Sequence, residues 1–318
     1  MIGPAMRRVF WSWRSTGALL LVLALVPADS AGETLTIATY NLQNYTVADR
    51  MAAGVYRAEY PKPELEKAAL RQVIRALDAD VLVLQELGGE PFLEELRRDL
   101  ATEGVHYAHA VYMRAEDEAR GLGALSKIPL HDVVRHTDME FAYLGGRERV
   151  RRGMLELGVG REESRVTLFV VHLKSRYTER DDDPASVIRR GAEATAARDR
   201  LLERFPDPGA EAARFLVLGD FNDSPTSRAV RAFTRRGDNL EIAALVPVAD
   251  SRGETWTHVY RREDAYTRVD HVMVSAALLP RVAGGRATIF DGPGTAEASD
   301  HRPVIVTLER EREGESRP

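Results

Sequence analysis

Residues 215–225 read Phe-Leu-Val-Leu-Gly-Asp-Phe-Asn-Asp-Ser-Pro, an apolar run that stops at Gly219-Asp220-Phe221-Asn222. Such a run reads as a buried strand that delivers a carboxylate and a carboxamide at its tip. One such ending means little, because Asp and Asn are common turn formers just after strands. The same punctuation recurs along the chain. Asn41 follows the strand-like run 35–39, Gln85-Glu86 follow 81–84, and His172 follows 166–171. Asp270 falls within 269–274, and Asp300-His301 flank 303–308. Six polar endings at one strand edge would form a site, because open α/β sheets present ligands at strand carboxyl ends. Carboxylate and carboxamide oxygens dominate the set, which suits a hard cation such as Mg²⁺, Mn²⁺ or Ca²⁺. Two histidines beside that set point to hydrolysis, one to activate water and one to stabilise or protonate a phosphoryl oxygen.

The stretches between these strands carry helical period. Residues 64–77 place Leu65, Ala68, Ala69, Val73, Ile74 and Leu77 at helical spacing, behind Pro63 at a position where helix starts tolerate proline. Helices are also expected at 91–100, at 184–205 with Asp183 as N-cap, and at 227–233. Residues 122–125 and 154–159 add strands. With no long Ser/Gly/Pro linker, one α/β domain over 31–308 is the economical reading. At 318 residues and 44% apolar composition the chain can bury a sizeable core. Ordinary Gly and Pro content and the lack of any self-similar period exclude collagen-like, repeat and wholly disordered chains. The absence of cysteine excludes disulfides, thiolate catalysis and Cys-ligated metal sites.

The first thirty residues read as a secretory signal. Arg7, Arg8 and Arg14 precede the apolar run 17–26, and Pro27 leads into the small residues Ala28, Ser30 and Ala31. Ten apolar residues are short against the roughly 20 of a spanning helix, so cleavage near Ser30/Ala31, export and no lasting membrane anchor are expected. Removal of Arg7, Arg8, Arg14 and Asp29 takes the formal charge from −5 to −7. An acidic chain has no global field for polyanions, so any grip on nucleic acid must come from local patches. Residues 309–318 are charged and read as a frayed tail.

Seven strings together resemble one superfamily. They are TYNLQNY (39–45), DADVLVLQEL (78–87), GALSKIPL (123–130), VVHLKSR (170–176), VLGDFNDSP (217–225), YTRVDHVMVS (266–275) and SDHRPVIVTL (299–308). In this order they resemble the endonuclease/exonuclease/phosphatase superfamily, the deoxyribonuclease I, apurinic endonuclease and sphingomyelinase group. The resemblance implies a four-layer α/β sandwich, two packed mixed β-sheets flanked by helices. It also implies Glu86 as principal metal carboxylate with Asn41 beside it and Asp300 as a further ligand. Asp270 and His301 correspond to the carboxylate–histidine pair that takes a proton from water. Asp220 and Asn222 correspond to the pair that orients the nucleophilic water, and His172 to the donor to non-bridging oxygens. The general base, Asp220 or His301, stays open, as do one-metal and two-metal schemes. One departure stands out: the acid that supports the first histidine in deoxyribonuclease I-like members has no unambiguous counterpart, with Glu140, Glu148 and Glu156 all in the right region. His258, following Thr255-Trp256-Thr257, is better placed for chemistry than Asn44, Asp223 or His271.

Arginines gather in two further places. Arg147, Arg149, Arg151 and Arg152 lie in a loop-like stretch before 154–159, and Lys174, Arg176, Arg180, Arg189 and Arg190 follow His172. A solvated face and a phosphate grip are both open; in the second reading Arg149, Arg151, Arg152, Lys174 and Arg176 bind phosphates flanking the scissile bond. The sequence thus describes an exported, Mg²⁺-, Mn²⁺- or Ca²⁺-dependent phosphoester hydrolase, nuclease-like, acting on DNA or RNA. The alternatives are a sphingomyelinase-like or small-molecule phosphodiesterase of the same superfamily and a secreted binding protein on this scaffold. No protein partner is evident, and no amphipathic or aromatic membrane-docking hairpin. The DxH and GHxH signatures of dinuclear metallophosphoesterases are absent.

Overall fold

Runs of apolar residues bounded by Gly, Asp and Asn become strands, and the helix-period runs become the helices between them. The computed structural model describes residues 34–309 together with residues 1 and 3; the rest of the expected signal segment and the tail beyond Glu309 lie outside the described residues. The principal elements are β1 (Thr34–Tyr45), α1 (Glu64–Leu77), β2 (Val81–Leu87), α2 (Glu90–Thr102), β3 (His109–Met113), β4 (Gly121–Ser126) and β5 (Leu130–His136). They continue with β6 (Met154–Val159), β7 (Val166–His172), α3 (Val187–Arg204), β8 (Phe215–Asp220), α4 (Arg228–Thr234), β9 (Ala244–Leu245) and β10 (Val248–Ala249). The last are β11 (Asp270–Val274), β12 (Ala287–Ile289), α5 (Thr295–Ala298) and β13 (Val304–Glu309).

Two mixed sheets carry the fold, ordered β10-β12-β13-β1-β2-β4-β3 and β9-β11-β8-β7-β6-β5. At the heart of each is a parallel pair, β1 with β2 and β7 with β8, flanked by antiparallel strands. Such parallel neighbours need a crossover, and α1 and α3 lie in the crossovers of these two central pairs. Strand side chains alternate between faces, so each sheet has two surfaces to cover. Ile37, Val81, Val83 and Ala124 of the first sheet meet Leu155, Leu168, Leu216 and Val272 of the second in a core between the sheets. The outer face of the first sheet packs Tyr40, Leu82 and Leu84 on Leu70, Ile74, Leu93 and Leu96 of α1 and α2. That of the second packs Phe169, Phe215 and Val217 on Ala197, Leu201, Val230 and Phe233 of α3 and α4. Three cores between four layers make the expected four-layer sandwich.

The departures from expectation are local. Leu65 is exposed, because the stripe of α1 that meets the sheet runs through Leu70, Val73, Ile74 and Leu77. Left-handed Ala185 and Ser186 break the turn at Pro184–Ser186, so α3 starts at Val187; Asp183 still serves it, accepting the Ile188 and Arg189 N–H groups at 2.8 and 3.0 Å. Asp270 opens its strand and Asp300-His301 precede theirs because β11 and β13 run antiparallel to β8 and β1; four polar endings are carboxyl ends and two are amino ends of one edge. The stretch expected as a loop at 147–152 begins as strand, Gly146–Arg149 paired with Glu140–Tyr143.

Gly219 lets β8 lie against β7. Its φ is 139°, and a Cβ there would sit 2.0 Å from the Val171 carbonyl oxygen, on the strand directly beside it. Gly219→Ala is therefore expected to destabilise the fold by about 1–3 kcal/mol, as overpacking does, or more where the backbone cannot yield. A denaturant midpoint equal to that of the parent would contradict this packing.

Candidate active site

The site lies where the two parallel pairs end together. Next to Asn41 the β1–β2 register slips, and within the bulge Gln43 and Asn44 have φ of 48° and 52° while Glu86 opposite has 64°. Left-handed backbone at non-glycine residues costs energy and is held only where surroundings over-determine it. Here the bulge re-aims Glu86. The Asn44 N–H holds Glu86 Oε2 at 2.7 Å, leaving Oε1 facing His172 Nε2 at 3.9 Å.

In the second sheet the register sets His172, Asp220 and Asp270 side by side on β7, β8 and β11. Asp220 is buried and surrounded by donors. Its Oδ1 accepts the Asn222 N–H at 2.8 Å; its Oδ2 accepts Asn41 Nδ2 at 3.0 Å and Asn222 Nδ2 at 3.1 Å. The same Oδ2 lies 3.4 Å from His172 Nε2 and 3.9 Å from His301 Nε2. Asp270 Oδ2 pairs with His301 Nδ1 at 2.9 Å, which turns Nε2 toward Asp220. Thr257 fixes that pair: its buried hydroxyl oxygen accepts the Val269 and Asp270 N–H groups, both at 3.0 Å, and its carbonyl accepts the Arg302 N–H at 2.7 Å. Ser299 ties the first sheet to the same cluster, donating to the Asn41 carbonyl and accepting the His301 N–H.

Burial and charge set the protonation of the cluster. Burial, with the charges of Asp270 and Glu86, pushes the Asp220 carboxyl up to about 7 against the pull of His301 and the Asn222 N–H. Burial opposes a charge on His301 as well, but Asp270, Asp220 and Asp300 outweigh it and hold its pKa well above the ordinary value. Burial and the nearby Arg152 keep His172 neutral, far below the usual histidine range. Ligand atoms of Asp220, Asp270 and His301 lie within 4.8 Å of one another, as do those of His258, Asp300 and His301. A crowded set of carboxylate oxygens with imidazole nitrogens beside it fits a divalent cation, and of its acids Glu86 and Asp300 are partly open to solvent.

Most of the expected residues converge, with two corrections among the basic ones. Asn41 braces Asp220 through Nδ2, while its Oδ1 accepts the Gln43 N–H at 3.0 Å and keeps a second lone pair. Arg152 is buried, donating to the Leu173 carbonyl at 2.7 Å and pairing with Asp117, and is no free phosphate grip. The Lys174 ammonium is taken up by Ser175 and the Tyr177 carbonyl. Arg149, Arg151 and Arg176 are exposed; Arg149 and Arg151 join Arg147 and Arg189 in lining one cleft with Glu116, Glu140 and Glu148. None of the three candidate acids supports His172: Glu140 pairs with Arg147, Glu148 with Arg189 and Glu156 with His136, while His172 Nδ1 is buried without a partner. Thr257 carried no signal of its own, and Arg190 stood out only as one of the arginines that follow His172. The wholly buried Arg190 guanidinium bonds Asp223 at 2.9 Å and the Ala185 and Lys174 carbonyls at 3.0 and 3.2 Å, joining the loops that follow β7 and β8.

The Endonuclease/Exonuclease/phosphatase family model matches residues 38–301. The chain belongs to this family. No curated protein matches it. Among solved structures it is similar to the human Nocturnin catalytic domain with bound sulfate anion, at 16% identity and TM-score 0.60, covering 86% of this chain and 94% of that one. It is likewise similar to sphingomyelinase C from Streptomyces griseocarneus, at 15% identity and TM-score 0.56, covering 86% and 99%. Truncated Caenorhabditis elegans TDP2 follows at 16% and 0.54, covering 87% and 98%. At these identities the likenesses establish the fold. The chain thus has the metal-dependent phosphoesterase fold of the family, with a buried Asp/His cluster at its strand ends.

Asp220 and His301 both hold protons in the folded chain at pH values where the unfolded chain has released them. Their stabilising share is therefore present at low pH and lost as pH rises, Asp220's between its ordinary 3.8 and about 7. In chelator, the melting temperature of Asp220→Asn should gain on that of the parent across this window, whatever constant penalty the substitution carries. Parallel curves would contradict the raised carboxyl.

Proposed function

We propose that the chain is an exported phosphodiesterase of the family that cuts DNA or RNA with the help of Mg²⁺, Mn²⁺ or Ca²⁺. The observation that carries this reading is the position of Asp220 Oδ2 between two histidine Nε2 atoms, at 3.4 and 3.9 Å. A divalent ion held by Glu86 and Asp300 would neutralise phosphate charge and stabilise the leaving oxygen. Asp220, oriented by Asn41 and Asn222, takes the proton of the attacking water. His301, kept cationic by Asp270, and His172, donating from Nε2, stabilise the oxygens on which charge builds. The cleft of Arg147, Arg149, Arg151 and Arg189 supports a polyanionic substrate, because Arg189 and the backbone N–H of Lys174, the second residue after His172, meet at Glu193. Export rests on the expected signal segment.

A lipid phosphodiester is the second reading, and one feature favours it. Val47–Ala52 and Val55–Pro61 form a hairpin whose Met51, Val55 and Tyr56 are exposed near the turn and whose Val47 is exposed at the root, an apolar surface that the sequence pattern did not reveal. Its root is tied to the site, since Arg50 donates to the Asn44 carbonyl at 2.9 Å.

The purified chain should be offered plasmid DNA, RNA, sphingomyelin vesicles and bis(p-nitrophenyl) phosphate, each with the three ions and with chelator. Metal-dependent cleavage of nucleic acid, lowered about 10²- to 10⁴-fold in kcat by His301→Ala, is the expected result. Turnover of sphingomyelin alone would replace the first reading by the second. Arg149→Ala with Arg151→Ala should raise KM for the polymer and leave that for bis(p-nitrophenyl) phosphate unchanged; equal effects on both would remove the cleft from the substrate path.

A further inference from the structure

His258 has no place in the catalytic set described above, yet the backbone fixes it beside that set. Residues 258 and 301 pair as an isolated β-bridge, the Val259 N–H donates to the Asp300 carbonyl at 2.9 Å, and the two imidazole rings lie 4.6 Å apart. His258 Nε2 faces Asp300 Oδ2 at 3.8 Å, while Thr267 Oγ1, 3.4 Å from Nδ1, is placed to take the proton of the other ring nitrogen. With Nδ1 protonated in this way, a nitrogen lone pair stands opposite a carboxylate oxygen across a gap too long for a hydrogen bond. Two like-polarity atoms held face to face repel unless something positive lies between them. The gap is within the span of two metal–ligand bonds of about 2.0–2.2 Å each. His301 is not free to fill the same part, since Nδ1 is committed to Asp270 and Nε2 faces Asp220.

We propose that His258 Nε2 and Asp300 together ligate the divalent ion, giving an otherwise all-oxygen centre one nitrogen donor, so that the site prefers Mn²⁺ over Mg²⁺. This deepens the metal-dependent reading and rests on it. Imidazole adds little for Mg²⁺, which favours oxygen and water, and adds more for the first-row transition ions. His258 is thereby a residue that selects the ion, separate from the pair that moves the proton.

Titration calorimetry of the full chain with MnCl₂ and with MgCl₂, alongside electron paramagnetic resonance of the Mn²⁺ form, tests this without any substrate. The parent should bind Mn²⁺ about tenfold or more tightly than Mg²⁺ and show nitrogen coupling to the bound ion. His258→Ala should lose both the margin and the coupling while Mg²⁺ affinity changes little. His258→Glu, which restores an oxygen donor, should bind both ions with the margin still lost; unchanged melting temperatures would separate these effects from misfolding. Binding by the parent with the same Mn²⁺ to Mg²⁺ ratio in His258→Ala and no nitrogen coupling would overturn the proposal and leave the metal centre standing. Absence of any ion binding by the parent would overturn the metal reading itself, and the proposal with it.

Discussion

The hydrogen bond from Asn41 Nδ2 to Asp220 Oδ2, 3.0 Å long and buried, is the point on which the site turns. Asn41 belongs to the first sheet and Asp220 to the second, so this bond crosses the seam of the sandwich at the edge where both parallel pairs end. A carboxylate buried among other acids is costly unless its oxygens are well supplied with donors. Asp220 draws those donors from both sheets, and the two histidines then sit at 3.4 and 3.9 Å from one oxygen. A one-residue slip in the register of β1 or β8 would turn that strand's side chains to the other face and dissolve the cluster.

Strain concentrates at the same edge. Gln43, Asn44, Glu86 and Asn222 all have positive φ, and each lies in or beside the cluster. The bulge in β1 turns Glu86 into the site, and the left-handed Asn222 folds its own N–H back on Asp220. Such backbone persists because the layers on either side are fully packed. The buried Arg190 contributes from behind by joining the loops after β7 and β8, its charge answered by Asp223 and three carbonyls.

Much of this was legible in the chain because apolar runs ending in polar residues are what a two-sheet sandwich with an edge site requires. Asp220, Asp270, His172 and His301 announce themselves that way, and α1 was read to the residue from its period and its preceding proline. What escaped is of a different kind. Thr257 acts through a hydroxyl that accepts two backbone N–H groups from residues 12 and 13 positions away, and no local pattern encodes that. Arg152 looked like a surface arginine because a buried guanidinium is recognisable only once its acceptors, Leu173 and Asp117, are in place. The apolar hairpin at 47–61 was hidden because its residues face solvent, so it shows none of the burial pattern that marks a strand.

The central claim is that Asn41 and Asp220 act as one unit across the seam. A double-mutant cycle of Asn41→Ala and Asp220→Ala on kcat/KM for bis(p-nitrophenyl) phosphate tests it most directly. The account predicts that each single substitution is severe and that the double variant is little worse than Asp220→Ala alone, because Asn41 works through Asp220. Fully additive losses would show two independent residues and contradict it.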